Sequence, residues 1–151
     1  MVAAVEFKEN RLIRALPGDD YQRWLPSLEH VELPLGQVLY ESGAVLSHVY
    51  FPTTAIVSLL YVMANGASAE IAVVGNEGLV GISLFMGGES TPSRAVVQSV
   101  GRDLRLNATI MKNEFNRAGP VLHLFLRYTQ ALITINASSS VARRTSDLQL
   151  S

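Results

Sequence analysis

Between Val31 and Leu106 the chain breaks into short apolar runs separated by turn residues, and this pattern constrains the fold more than any other feature. Val31-Glu32-Leu33 alternates in polarity, Gln37-Val38-Leu39-Tyr40 follows Gly36, and Glu41-Ser42-Gly43 makes a turn. His48-Val49-Tyr50-Phe51 stops at Pro52. Ala55 to Met63 is apolar and β-branched, Ala64-Asn65-Gly66 turns the chain, and Ser68 to Val74 returns as its partner; Asn-Gly tolerates the positive φ that a tight hairpin needs. Arg94 to Val100 and Arg102 to Leu106 give two more runs around Gly101. Short strands at close, regular spacing predict an all-β sandwich or barrel.

Helices flank this region. Asn10 to Leu28 reads as helical, with Asn10 as cap and Leu12, Ile13, Leu16, Trp24, Leu25 and Leu28 at helical spacing. Pro17-Gly18-Asp19-Asp20 divides it, and Asp19 or Asp20 is expected to cap the second piece. Asn107 to Phe115 reads as a short helix capped by Asn107. After Gly119-Pro120, Val121 to about Ser138 is the strongest helical pattern. Leu122, Phe125, Leu126, Thr129, Leu132, Ile133 and Asn136 share one broad face, while Val121, Leu124, Tyr128, Ala131 and Ile135 populate much of the rest. A helix apolar nearly all round must be covered on two sides. The β domain covers one side, and the same helix of a second copy is the simplest cover for the other. A homodimer is therefore expected, with Leu122, Phe125, Thr129, Leu132, Ile133 and Asn136 at its interface.

Composition narrows the function classes. The chain has 151 residues, the size of one domain, and with 48% hydrophobic and 17% charged residues it is too apolar to be disordered. Twelve basic against 13 acidic residues give no excess that would point to a polyanion as main partner. The absence of cysteine excludes disulfides, thiolate metal sites and thiol catalysis. His30, His48 and His123 are far apart, so no metal site is expected. A cupin-like jelly-roll metalloenzyme, which needs clustered histidines, has only His30 and His48 in the strand region. Gly81-Ile82-Ser83 does not complete a nucleophile elbow, because Phe85 stands where the last glycine should be. The expectation is a protein that is not an enzyme. Met1 to Asn10 does not read as a signal peptide, and Ala55 to Ala64 is half of what spans a bilayer. These readings predict a soluble, cytoplasmic protein without a membrane partner.

The stretch from Gly75 to Gly88 is the most unusual. Its glycines, with a short helical turn expected over Ile82–Met86, would expose backbone N–H groups to an anion. Arg94 follows, where a guanidinium would close on a phosphate or carboxylate. The competing reading is that the glycines merely permit tight turns and that Arg94 pairs with Glu70, Glu77 or Glu89.

The order of elements, with Glu32-Leu33-Pro34-Leu35-Gly36, Val49-Tyr50-Phe51-Pro52 and Gly75-Asn76-Glu77-Gly78-Leu79-Val80-Gly81, resembles the Crp/Fnr family of bacterial transcription regulators. The resemblance covers roughly Asn10 to Arg144 and is to the sensor half of those proteins. It implies a fold that is mainly β with flanking helices, a double-stranded β-helix (jelly roll) of cyclic-nucleotide-binding type followed by a long C-terminal dimerisation helix. The implied boundaries are 10–118 for the β-roll with its N-terminal helices, 119–140 for the dimerisation helix and 141–151 for a tail.

The family's phosphate-binding cassette opens with a glycine and a glutamate and closes with an arginine and a small residue on the next strand. Matched to it, Gly81, Ile82, Ser83, Leu84, Arg94 and Ala95 are the implied ligand-binding residues. Neither Gly81 nor Ile82 supplies the carboxylate that holds a ribose hydroxyl, so the phosphate half of the site is kept and the ribose half is missing. The implied ligand is a cyclic nucleotide or another small anion. The family's winged helix-turn-helix is expected to be absent from this chain, so DNA would be a partner only of a full-length form. A stand-alone cyclic-nucleotide-binding module is the alternative.

Overall fold

The computed structural model of the chain describes residues 8–81, 91, 93–117, 119, 121 and 123–128. The chain enters through α1 (Arg11–Arg14), whose cap is the fully buried Asn10. Its Oδ1 accepts from the N–H groups of Leu12 and Ile13 at 3.0 and 3.2 Å. Its Nδ2 donates to the carbonyls of Pro52 and Gly78 at 2.8 and 2.9 Å. One amide therefore starts the helix and clamps it to two distant segments. Asn10→Ala strips the cap and leaves two buried carbonyls short of a donor, so it is expected to cost about 2 kcal/mol in urea unfolding.

Helix α2 (Gly18–Trp24) follows, then a 3₁₀ turn over Leu25–Ser27. Neither Asp19 nor Asp20 caps α2: Pro17 occupies that position and offers no side-chain acceptor. The two aspartates lie in the first turn, where the exposed N–H groups of the helix start favour negative charge.

Among the described residues, seven antiparallel strands form two sheets. They are β1 (Glu29–Leu33), β2 (Val38–Tyr40), β3 (His48–Pro52), β4 (Ile56–Val62), β5 (Ser68–Val74), β6 (Ser93–Ser99) and β7 (Gly101–Asn107). The first sheet has the order β1-β7-β3 and the second β2-β6-β4-β5. The β4–β5 hairpin turns at Asn65-Gly66, with Gly66 at φ +86° as its turn chemistry requires. Helix α3 (Ala108–Asn116) is capped by Asn107, whose side chain accepts from the Thr109 N–H at 2.8 Å.

Alternation along β7 makes the first sheet a middle layer. Leu104 and Leu106 join Val49 and Phe51 of β3 in a cluster with Ile13, Trp24, Met111 and Phe125 from the helical side. The opposite face of the sheet contributes Leu33 and Tyr50 to a second cluster with Val57, Leu59, Ala95 and Val97 of the other sheet. The layers run helices, three-stranded sheet, four-stranded sheet. The mainly β, roll-like expectation holds, and α1, α2 and α3 fall within the stretches whose spacing predicted helix.

Residues 121 and 123–128 are helical, within the stretch where the long helix is expected. Val121, Leu124, Phe125 and Tyr128 form its packed face, while Leu126 is 45% exposed. Residues 122 and 129–140 lie outside the described residues, and with them Leu122, Thr129, Leu132, Ile133 and Asn136. Phe125, expected at a dimer interface, is fully buried in its own chain. Its ring centroid lies 5.7 Å from Trp24, 6.2 Å from Phe51 and 6.4 Å from Phe115.

Candidate functional site

The glycine segment is anchored before it reaches the expected cassette. The Arg11 N–H donates to the Asn76 carbonyl at 2.7 Å, and Glu77 Oε1 accepts from the Gly75 N–H at 3.1 Å. Val80 pairs antiparallel with Tyr50, adding a short stretch to the edge of the first sheet. Gly81 then turns with φ +116°, and a Cβ there would lie 2.9 Å from Val49 Cγ1. Both the backbone angle and the packing on β3 demand glycine at this position. Ile82, Ser83 and Leu84, with the helical turn expected around them, lie outside the described residues.

The far end of the segment is anchored on the connection between β2 and β3. The Gly43 N–H donates to the Thr91 carbonyl at 2.7 Å, and the Thr91 N–H donates to the Ala44 carbonyl at 3.1 Å. Thr91 Oγ1 accepts from the Ser93 N–H at 3.1 Å and donates to the Ser93 carbonyl at 2.7 Å, which sets the start of β6. Beside them, burial pushes the Tyr40 hydroxyl up to about 12, while the Ser93 and Thr91 hydroxyls pull the other way.

Ala95 is fully buried, between Tyr40 on one side and Leu59 on the other. Arg94 stands next to it at the rim, its side chain 37% exposed. Its Nε donates to Glu41 Oε2 at 2.7 Å. The expected competitors have other partners: Glu70 accepts from Ser58 at 2.8 Å, and Glu77 holds Gly75. Glu89 lies outside the described residues. The partner that sequence reasoning missed follows from register. Tyr40 faces Ala95 across the β2–β6 pair, so Glu41 and Arg94 are the next residues on the two antiparallel chains.

The structure therefore sets Gly81 at the edge of the first sheet, held against β3, and Arg94–Ala95 at the start of β6 in the second, with Thr91 just before it held by the β2–β3 connection. A guanidinium held, among the described residues, by the partly exposed carboxylate of Glu41 can exchange that partner for an anionic ligand. His30 and His48 lie on strands separated by β7, and among the described residues no group of three or more His, Asp or Glu could hold a metal. Among the described residues, no helix is long and apolar enough to cross a membrane.

Two other polar sites lie away from this region. Arg23 donates to Glu114 and Asp20, pinning α2 to α3 beside a cavity of about 140 Å³. On β7, Asp103 is fully buried and, among the described residues, neither carboxylate oxygen has a hydrogen-bond partner. Burial drives its carboxyl well above the ordinary range, and the approach of the Phe51 backbone, the smaller of the two effects, pulls the other way.

Comparison with known proteins agrees with this architecture. The family model described as the cyclic nucleotide-binding domain matches residues 30–117. The N-terminal domain of a transcriptional regulator from Streptomyces coelicolor A3(2) is 25% identical; the match covers 96% of this chain and 95% of that one, with TM-score 0.59. A cyclic nucleotide-binding protein of Geobacter metallireducens, so described by its structure's name, is 15% identical over 91% of this chain and 99% of that one, with TM-score 0.72. The c-di-GMP-responsive global regulator CLP of Xanthomonas campestris is 12% identical over 84% of this chain and 64% of that one, with TM-score 0.69. Among curated proteins none matches the chain.

Proposed function

The chain belongs to the cyclic nucleotide-binding domain family, and on that premise we propose that it is the sensor half of a Crp/Fnr-like transcription regulator. It takes a cyclic nucleotide or another small anion against Arg94 and the segment that follows Gly81. The observation that carries this reading is the placement of Arg94. It stands at the start of β6 beside the buried Ala95, with its guanidinium at the rim and a displaceable carboxylate, Glu41, as partner. The ligand's anionic group would replace Glu41. Ile82 supplies no acceptor for a ribose hydroxyl, so affinity rests on the charged end of the ligand. Leu122, Thr129, Leu132, Ile133 and Asn136 would meet a second copy, and the exposed Leu126 supports an uncovered apolar side on that helix. The module acts by binding and not by catalysis, and reads DNA only through a separate domain of a full-length regulator.

Thermal-shift and calorimetric titrations with cyclic AMP, cyclic GMP and a cyclic dinucleotide test this, repeated on Arg94→Ala. A ligand at a hundred times its Kd stabilises the fold by about 2.7 kcal/mol. Arg94→Ala is expected to weaken binding by about tenfold to a hundredfold, the worth of a charge-assisted hydrogen bond. Affinity unchanged in that variant would remove Arg94 from the site.

A further inference from the structure

The segment that leads to Gly81, bridged to β3 at Val80 alone, satisfies its two sides differently. Val80 turns its N–H and C=O toward β3, where they pair with Tyr50 at 2.7 and 2.9 Å. In an extended chain the neighbouring residue points its peptide groups the opposite way. One side chain takes both groups of Leu79. The Tyr128 hydroxyl accepts from the Leu79 N–H at 3.3 Å and donates to its carbonyl at 3.5 Å. The ring crosses Gly78 so closely that a Cβ there would lie 2.1 Å from the hydroxyl oxygen. Burial pushes this hydroxyl up to about 12, so it remains a donor across neutral pH. Tyr128 sits three residues from Phe125, whose ring is packed against Trp24, Phe51 and Phe115. The hydroxyl is thus carried by a fixed part of the helix.

We infer that Tyr128 is the positioning residue that ties the C-terminal helix to the effector segment. It holds the Leu79 peptide, and through it Gly81, and passes a displacement of either element to the other. This rests on reading the segment after Gly81 as the effector site. The coupling is reciprocal: what the effector does to the helix, the helix does to effector affinity.

Tyr128→Phe keeps the ring over Gly78 and removes only the hydroxyl. Amide hydrogen exchange of the full chain, over peptides covering 76–81 and 121–128, reads the result. Without nucleotide, exchange in both segments is expected to rise together by about three- to tenfold, the effect of one lost hydrogen bond, with the β4–β5 hairpin unchanged. A rise in 121–128 alone would mean a fraying helix and overturn the tie. With saturating cyclic AMP, the natural chain should gain protection in both segments, and Tyr128→Phe should keep it only in 76–81. Ligand-induced protection of 121–128 that survives in the variant overturns the coupling. Gly78→Ala, whose Cβ displaces the hydroxyl, should reproduce the Tyr128→Phe pattern; exchange like that of the natural chain counts against the tie. Arg94→Ala separates the two readings. Cyclic AMP protection that is absent from the natural chain, or indifferent to Arg94→Ala, sinks the effector assignment, while the nucleotide-free comparison still decides whether Tyr128 joins the two segments.

Discussion

Gly101→Ala is expected to destabilise the protein by about 3 kcal/mol or more, among the largest effects of any single methyl group in this fold. The reason lies in how β7 begins. The Arg102 carbonyl accepts from the N–H groups of Thr53, Thr54 and Ala55, each at 3.1 Å, and Thr54 Oγ1 accepts from the Arg102 N–H at 2.7 Å. These bonds draw the β3–β4 connection down onto the backbone of β7. A Cβ at Gly101 would lie 2.5 Å from the Ala55 nitrogen and 2.6 Å from the Thr54 carbonyl carbon. Both contacts are with backbone, so no rotamer change relieves them. The connection would have to lift, breaking the bonds to Arg102 and disturbing the pairing of Leu33 with Gly101. Urea unfolding measures the effect directly. A loss under about 1 kcal/mol would show that residues 53–55 can withdraw without cost.

How much of this was legible beforehand depended on whether the determining contacts were local. The strands, the Asn65-Gly66 hairpin and the caps at Asn10 and Asn107 follow from residue type and spacing, because turn chemistry and capping act within a few residues. Asp19 and Asp20 were misjudged because Pro17, already extended, took the cap position. The Arg94–Glu41 pair could not be read without the β2–β6 register, since 53 residues separate the partners. Glycine function split in the same way. Gly66 is a turn residue visible from its neighbour, whereas Gly78 and Gly101 are required by approaches from Tyr128 and from Thr54–Ala55. The helix pattern at 121–138 showed that both sides needed cover but not which side met this chain. The aromatic cluster of Trp24, Phe51 and Phe115 decides it for Phe125. Asp103 was hidden for a further reason: alternation places it on the inner face, and nothing in a run of Arg-Asp-Leu-Arg marks which charged residue is buried.

Asp103→Asn is expected to stabilise the protein, by an amount that grows with pH. Asp103 lies on the central strand of the first sheet, opposite Val31 on β1 and Pro52 on β3. Proline has no N–H to give it, and Arg105, two residues along the strand and so on the same face, is bound to Glu29 at 3.1 Å. Below the ordinary aspartate value of 3.8, the carboxyl is mostly protonated in both the folded and unfolded chain, and the pH-dependent difference between the two proteins should be small. As pH rises, Asp103 ionises first in the unfolded chain, because burial holds the folded carboxyl in its neutral form. The unfolded state is thereby favoured, and stability falls until the pH passes the raised folded value. Asparagine has no proton to lose and escapes this fall. Groups common to both proteins, including Tyr50 and Arg105, cancel in the comparison. At pH 8 the variant's advantage should have grown by about 1.4 kcal/mol for each pH unit by which burial raises the folded carboxyl. Urea unfolding at pH 4, 6 and 8 gives the test. A difference that stays constant across that range would mean the Asp103 carboxylate is solvated or paired in the folded protein, and its burial between Val31 and Pro52 would have to be abandoned.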